Sequence, residues 1–114
     1  RRVEVARERL PTPMTEFVKV ARRADLDPGK GMGALVNGIR IALFNCEGSI
    51  HAIKGICPHM GGELWEGLLD GDIVSCPWHG WRFNVKTGKS PDAEVVAVRS
   101  YEVRVDGEDI YVGV

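Results

Sequence analysis

Cys57-Pro58-His59-Met60-Gly61-Gly62 and Cys76-Pro77-Trp78-His79-Gly80-Trp81 are the two stretches on which the reading of this chain turns. Each supplies one thiol and one imidazole. The first spaces them C-x-H, the second C-x-x-H, and sixteen residues lie between His59 and Cys76. A proline beside each cysteine stiffens the chain and removes an N–H donor. Gly61, Gly62 and Gly80 permit positive φ and close backbone approach. No helical apolar period runs through either stretch, so these residue types specify two tight loops, not a single ligand helix. Backbone N–H groups turned inward in such loops are expected to face the anionic atoms of a bound metal centre.

Outward from these loops the chain reads as short β segments. Strands are expected at residues 17–21, 33–36, 39–44, 50–54, 73–75, 82–85, 96–105 and 109–112. Asn37-Gly38 is the strongest hairpin signal in the chain. Asp25 to Lys30, Glu47-Gly48, Lys86 to Gly88 and Asp106-Gly107 supply further turns. Eight or nine short strands with glycine-rich turns predict an all-β fold, an antiparallel sandwich or barrel. Two loops following strands then form a small cluster-binding subdomain. Residues 1–15 stand apart: a charged run ends at Pro11-Thr12-Pro13, which reads as an N-terminal extension. Residues 16–114 read as one domain.

Composition agrees. The 114 residues suffice for one modest core. Hydrophobic content of 44% and charged content of 27% are those of an ordinary globular protein. Fourteen glycines favour turns over long helices. A formal net charge of −1 gives no basic signal for nucleic acid, and no apolar run approaches a membrane span. The first residues carry no apolar stretch of a secretory signal. They also lack an initiator Met, which leaves processing or truncation open. Three cysteines, Cys46, Cys57 and Cys76, are too few for a disulfide framework. A reducing cytoplasm fits, with two of the three as metal ligands.

The chain resembles the Rieske family over roughly residues 16–114. The resemblance rests on C-P-H-M-G-G, on C-P-W-H-G-W-R-F and on the Lys86-Thr87-Gly88 turn. It implies one [2Fe–2S] cluster per chain, with Cys57 and Cys76 on an inner iron and His59 and His79 on an outer iron near the surface. High-potential members carry an additional Cys in each loop, joined as a disulfide. Gly62 and Trp78 stand at those positions here. The same members direct a Ser and a Tyr hydroxyl at sulfur, where this chain has Trp81 and Phe83. Hydrogen bonds to sulfur stabilise the more negative, reduced cluster, so their loss implies the low end of the Rieske range, about −150 mV or somewhat below.

Cys46 and His51 belong to neither motif and read as packing or surface residues. Met60, Trp78 and Trp81 are expected to cover the cluster, and Trp65 reads as a core aromatic. Ser90-Pro91 falls where the family has a third loop over the cluster. The function implied is that of a soluble ferredoxin component of an aromatic-ring-hydroxylating oxygenase system. It would carry one electron from a flavin-dependent ferredoxin reductase to a terminal oxygenase, and it would not be catalytic alone. A second reading is a Rieske-type small subunit of a larger reductase, such as nitrite reductase. A third, of another class, is a zinc-stabilised interaction module, since two Cys and two His also suit Zn²⁺. Zinc fingers, however, place their histidine pair on a helix.

Overall fold

The computed structural model describes residues 16–58, 61–78, 80–93 and 95–114, and turn chemistry divides these described residues into ten strands. The expected extension, residues 1–15, lies outside the described residues, as do His59, Met60 and His79. The strands are β1 (Phe17–Arg22), β2 (Gly31–Val36), β3 (Ile39–Cys46), β4 (Ser49–Lys54), β5 (Leu68–Asp70), β6 (Ile73–Ser75), β7 (Arg82–Asn84), β8 (Ser100–Tyr101), β9 (Val103–Asp106) and β10 (Asp109–Gly113). Two short 3-10 helices, Arg23–Asp25 and Leu64–Glu66, are the described helical segments. None of the described helices is long and apolar enough to cross a membrane.

Among the described residues three antiparallel sheets result, with strand orders β9-β10-β1, β2-β3-β4-β8 and β5-β6-β7. The four-stranded sheet lies between two cores, which explains why residues 41–45 of β3 are buried without alternation. Ile41 and Leu43 join Val36, Ile50, Ala52, Ile110 and Val112 in one core. Ala42 and Phe44, pointing the other way, join Ile53, Leu64, Val74, Phe83 and Val85 in the second, together with Cys57 and Cys76. Each fully buried Leu, Ile or Phe contributes about 1.5–3 kcal/mol. The second core therefore fastens the small β5-β6-β7 sheet to the larger one.

The hairpin turns follow their sequence signals. Asn37 (φ 50°) and Gly38 (φ 81°) both adopt positive φ between β2 and β3, the conformation that matches strand twist in a two-residue loop. Glu47 (φ 54°) and Gly48 (φ 99°) repeat it between β3 and β4. There the buried Asn45 side chain accepts a hydrogen bond from the Gly48 N–H at 2.7 Å and donates to the Leu26 carbonyl at 2.8 Å.

The structure corrects the sequence reading of residues 96–105. That alternating run is not one strand. Ala97 bridges Lys89, Ser100–Tyr101 pairs with β4, and Val103–Asp106 pairs with β10 in a different sheet. The chain changes sheets at Glu102, whose carbonyl accepts from the Gly113 N–H at 2.9 Å. Val96 and Val98 pack on the second core and Tyr101 and Val103 on the first, whereas Val105 is exposed. Strand β5, which the sequence reading omitted, pairs with β6 across Gly71-Asp72.

Candidate metal centre

Loop 57–62 follows β4, and loop 76–81 joins β6 to β7. Their backbones close in the same way. The Cys57 N–H donates to the Gly62 carbonyl at 2.8 Å, and the Cys76 N–H to the Trp81 carbonyl at 2.7 Å. The Gly61 N–H returns to the Cys57 carbonyl at 3.0 Å, and the Gly80 N–H to the Cys76 carbonyl at 3.1 Å. Gly61 and Gly80 share φ of 78°, a conformation that costs a side-chain-bearing residue energy. The flanking residues pair across the base of each loop, Ile56 with Glu63 and Ser75 with Arg82. These four N–H groups bond within the loops, and Pro58 and Pro77 have none.

The two loops meet. Cys57 is 1% exposed and Cys76 3%. A Cβ built on Gly62 of the first loop would lie 2.8 Å from the Cys76 sulfur of the second. On the outer side, Pro58, Pro77, Trp78 and Gly80 are exposed. The arrangement brings together two buried thiols at the inner end of a pair of facing loops. Soft thiolates from two loops suit iron or zinc. His59 and His79, the other two expected ligands, are outside the described residues, so the structure brings together the cysteine half of the set. No disulfide joins Cys46, Cys57 or Cys76.

Ion pairs hold the loop exits. Glu63, the first residue after one loop, pairs with Arg40 at 3.6 Å. Arg82, the first after the other, makes a two-pronged contact with Asp92 at 2.6 and 3.0 Å. The hydrogen bond and charge of Asp92 raise the Arg82 pKa, and those of Arg82 hold the Asp92 carboxyl below its ordinary range. Asp92 belongs to a third turn, in which the Ser90 N–H donates to the Val96 carbonyl at 2.9 Å and the Asp92 N–H to the Ser90 hydroxyl at 3.2 Å. This segment carries the expected Ser90-Pro91. Its Val95, Val96 and Ala97 line a groove of about 310 Å³ with Pro58 and Trp81 of the two loops.

Trp65 supports the first loop from below. A Cβ on Gly33 would lie 2.6 Å from its ring, one on Gly55 would lie 2.7 Å from it, and one on Gly31 would lie 2.8 Å from its carbonyl oxygen. The ring thus rests on backbone that Gly33 and Gly55 leave bare, while Gly31 makes room for the Trp65 carbonyl oxygen and the Phe44 ring. The sequence reading named Trp65 but missed its glycine seat. Among the expected covering residues, Trp81 is half-buried against the core, whereas Trp78 is 67% exposed. Phe83 is fully buried.

Cys46 ends β3, half-buried beside Asp72 at the Lys86–Asp72 ion pair (3.2 Å). Burial, then the Asp72 charge, raise its thiol pKa. His51 lies on β4 with its Nε2 buried and without a hydrogen-bond partner. Burial, then Lys86, lower its pKa. Neither belongs to the facing loops.

Comparison with known proteins agrees with this geometry. Residues 16–107 match the Rieske [2Fe-2S] domain family. The ferredoxin component of a naphthalene 1,2-dioxygenase system from Pseudomonas aeruginosa is 31% identical over 101 residues, 87% of this chain and 97% of that protein. The ferredoxin of carbazole 1,9a-dioxygenase from Nocardioides aromaticivorans IC177 superposes with a TM-score of 0.78 at 33% identity, covering 84% of this chain and 95% of that one. A structure described as a putative NADH-dependent nitrite reductase small subunit from Mycobacterium tuberculosis gives a TM-score of 0.83 at 27% identity, covering 90% and 97%. With two buried thiols on paired loops and a family match that spans both, this chain belongs to the Rieske [2Fe–2S] family, whose cofactor is a single [2Fe–2S] cluster.

Proposed function

We propose that this chain is a low-potential Rieske ferredoxin that passes single electrons from a flavin-dependent reductase to a terminal oxygenase in the cytoplasm. The observation that carries the reading is the convergence of two loops with matching hydrogen bonds, each opening on a buried cysteine. Cys57 and Cys76 would hold one iron as thiolates, and His59 and His79 would hold the other through neutral imidazoles. When bound, the cluster supplies reversible uptake of one electron. The chain excludes water from the thiol end through Phe83, Leu64 and Val74, while the exposed Pro58, Pro77 and Trp78 mark the end open to a partner. Hydroxyl-free Trp81 and Phe83 keep the potential near the low end of the range, about −150 mV or below. A carrier of this kind does no catalysis by itself.

The test is EPR of the dithionite-reduced protein, followed by potentiometry. A rhombic signal whose average g lies below the free-electron value is expected, with a negative midpoint. A colourless protein holding one zinc per chain would sink the reading and favour a zinc-stabilised module. A midpoint well above zero would overturn the hydroxyl argument alone.

A second reading, small subunit of a larger reductase, is favoured by the fold match to the nitrite reductase small subunit. Reconstitution separates the two. Electron delivery to a ring-hydroxylating oxygenase supports the ferredoxin, and stable association with a nitrite reductase large subunit supports the alternative.

A further inference from the structure

Gly61 and Gly62 are adjacent, yet they are glycine for different reasons. Gly61 has φ of 78°, and among the described residues nothing lies within 4 Å of where its Cβ would stand. Its freedom serves the turn. Gly62 has no positive φ, so its backbone does not demand glycine. It is buried, and a Cβ there would lie 2.8 Å from the Cys76 sulfur and 3.2 and 3.3 Å from Cδ1 and Cγ of Trp78. One loop's bare backbone, the other loop's sulfur and the other loop's indole therefore share a single small volume. Trp78 is otherwise 67% exposed.

We propose that Gly62 and Trp78 form a non-covalent clasp between the two loops, in which Trp78 is a positioning residue for the Cys76 sulfur. The pyrrole edge of Trp78 packs on Gly62 from one side and shields the sulfur from water on its outer side. The clasp does the joining that a covalent link between the loops would otherwise do, since no disulfide is present. The proposal rests on the ferredoxin reading above, in which Cys76 is a cluster ligand.

The test compares the cluster-loaded wild-type protein with Trp78→Ala, Trp78→Phe and Gly62→Ala. The readouts are bleaching by an iron chelator, midpoint potential, EPR g values and far-UV circular dichroism. In Trp78→Ala, bleaching should run roughly fivefold faster or more, the scale of a lost aromatic contact. The midpoint should rise, because water reaching the sulfur stabilises the reduced, more negative cluster. Trp78→Phe should restore most of both. Gly62→Ala keeps the indole but displaces the sulfur, so g values and midpoint should shift while the circular dichroism holds. It remains a test even if Trp78→Ala does not fold. Wild-type bleaching, midpoint and g values in both Trp78→Ala and Gly62→Ala would overturn the clasp. Absence of a Rieske signal in the wild-type protein would instead overturn the reading on which it rests.

Discussion

Residues 57–62 and 76–81 bend through the same pair of hydrogen bonds, with glycine at the same offset and the same φ of 78°. Their side chains do not repeat so simply. Aligned on cysteine, His59 stands opposite Trp78 and Met60 opposite His79. The repeated frame therefore locates the thiols, which are equivalent, and leaves histidine to be set by residue count within each loop. The last position differs as well. Gly62 makes room for the other loop, whereas Trp81 packs on the core. Anchorage also divides them. The second loop is the tip of the β6–β7 hairpin, while the first depends on Leu64 and Trp65 beside it to reach the central sheet.

The most damaging way to break this comparison is to give both loops one histidine offset. His59→Met combined with Met60→His turns C-x-H into C-x-x-H. Complete loss of the Rieske EPR signal is expected, with far-UV circular dichroism retained. A preserved signal would show that the offset is immaterial. His79→Cys should likewise abolish the Rieske spectrum while the β scaffold survives.

Next in size is the difference in anchorage. Trp65→Ala empties the seat on Gly33 and Gly55. It should lower unfolding free energy by about 2–4 kcal/mol, somewhat under the cost of a wholly buried tryptophan, as measured by urea denaturation. A change within about 0.5 kcal/mol, the usual range of surface substitutions, would mean that the first loop is held by something else.

Smaller still is a test of sameness. Gly61→Ala and Gly80→Ala meet equal φ and, among the described residues, no neighbour within 4 Å of the new Cβ, so each should cost about 1–2 kcal/mol, and by matching amounts. Clearly unequal losses in the same urea titration would deny that the two frames are equivalent.

The smallest effect concerns the exit of the second loop. The Asp92 carboxyl is held below its ordinary pKa by the Arg82 hydrogen bond and charge. Its folded value lies below its unfolded value, so the pair's contribution is complete above about pH 4. It fades as pH falls through the lower folded value. Asp92→Asn should flatten the acid side of the stability profile slightly, since exposed pairs are weak. An unchanged acid limb would detach the third turn from the loop's stability.

Much of this was legible in the sequence. Cys57 and Cys76, their prolines and Gly61 and Gly80 announce two loops, because tight turns and thiol ligation demand those residue types locally. Asn37-Gly38 and Glu47-Gly48 state their hairpins for the same reason. Residues 96–105 were not legible. Alternation reports that one face is buried but not which sheet buries it, so the change of sheet at Glu102 leaves no mark. The glycines at 33 and 55 read as ordinary turn or strand residues until the ring of Trp65 is seen to need their emptiness. Gly62 hides in the same way, since a glycine kept for space and one kept for φ look identical in a string of letters.

That seat has a consequence for how the sequence can vary. Gly33 and Gly55 are tied to Trp65 by exclusion of volume, so substitutions at these three positions cannot be independent. An alanine at residue 33 is harmful beside tryptophan and should be tolerated beside leucine at residue 65. In a double-mutant cycle the pair would show a coupling energy of opposite sign to its single costs. Any route by which this protein exchanges its tryptophan for a smaller residue passes most easily through the sheet beneath it, with a gain of bulk on one strand compensating a loss in the helical turn above.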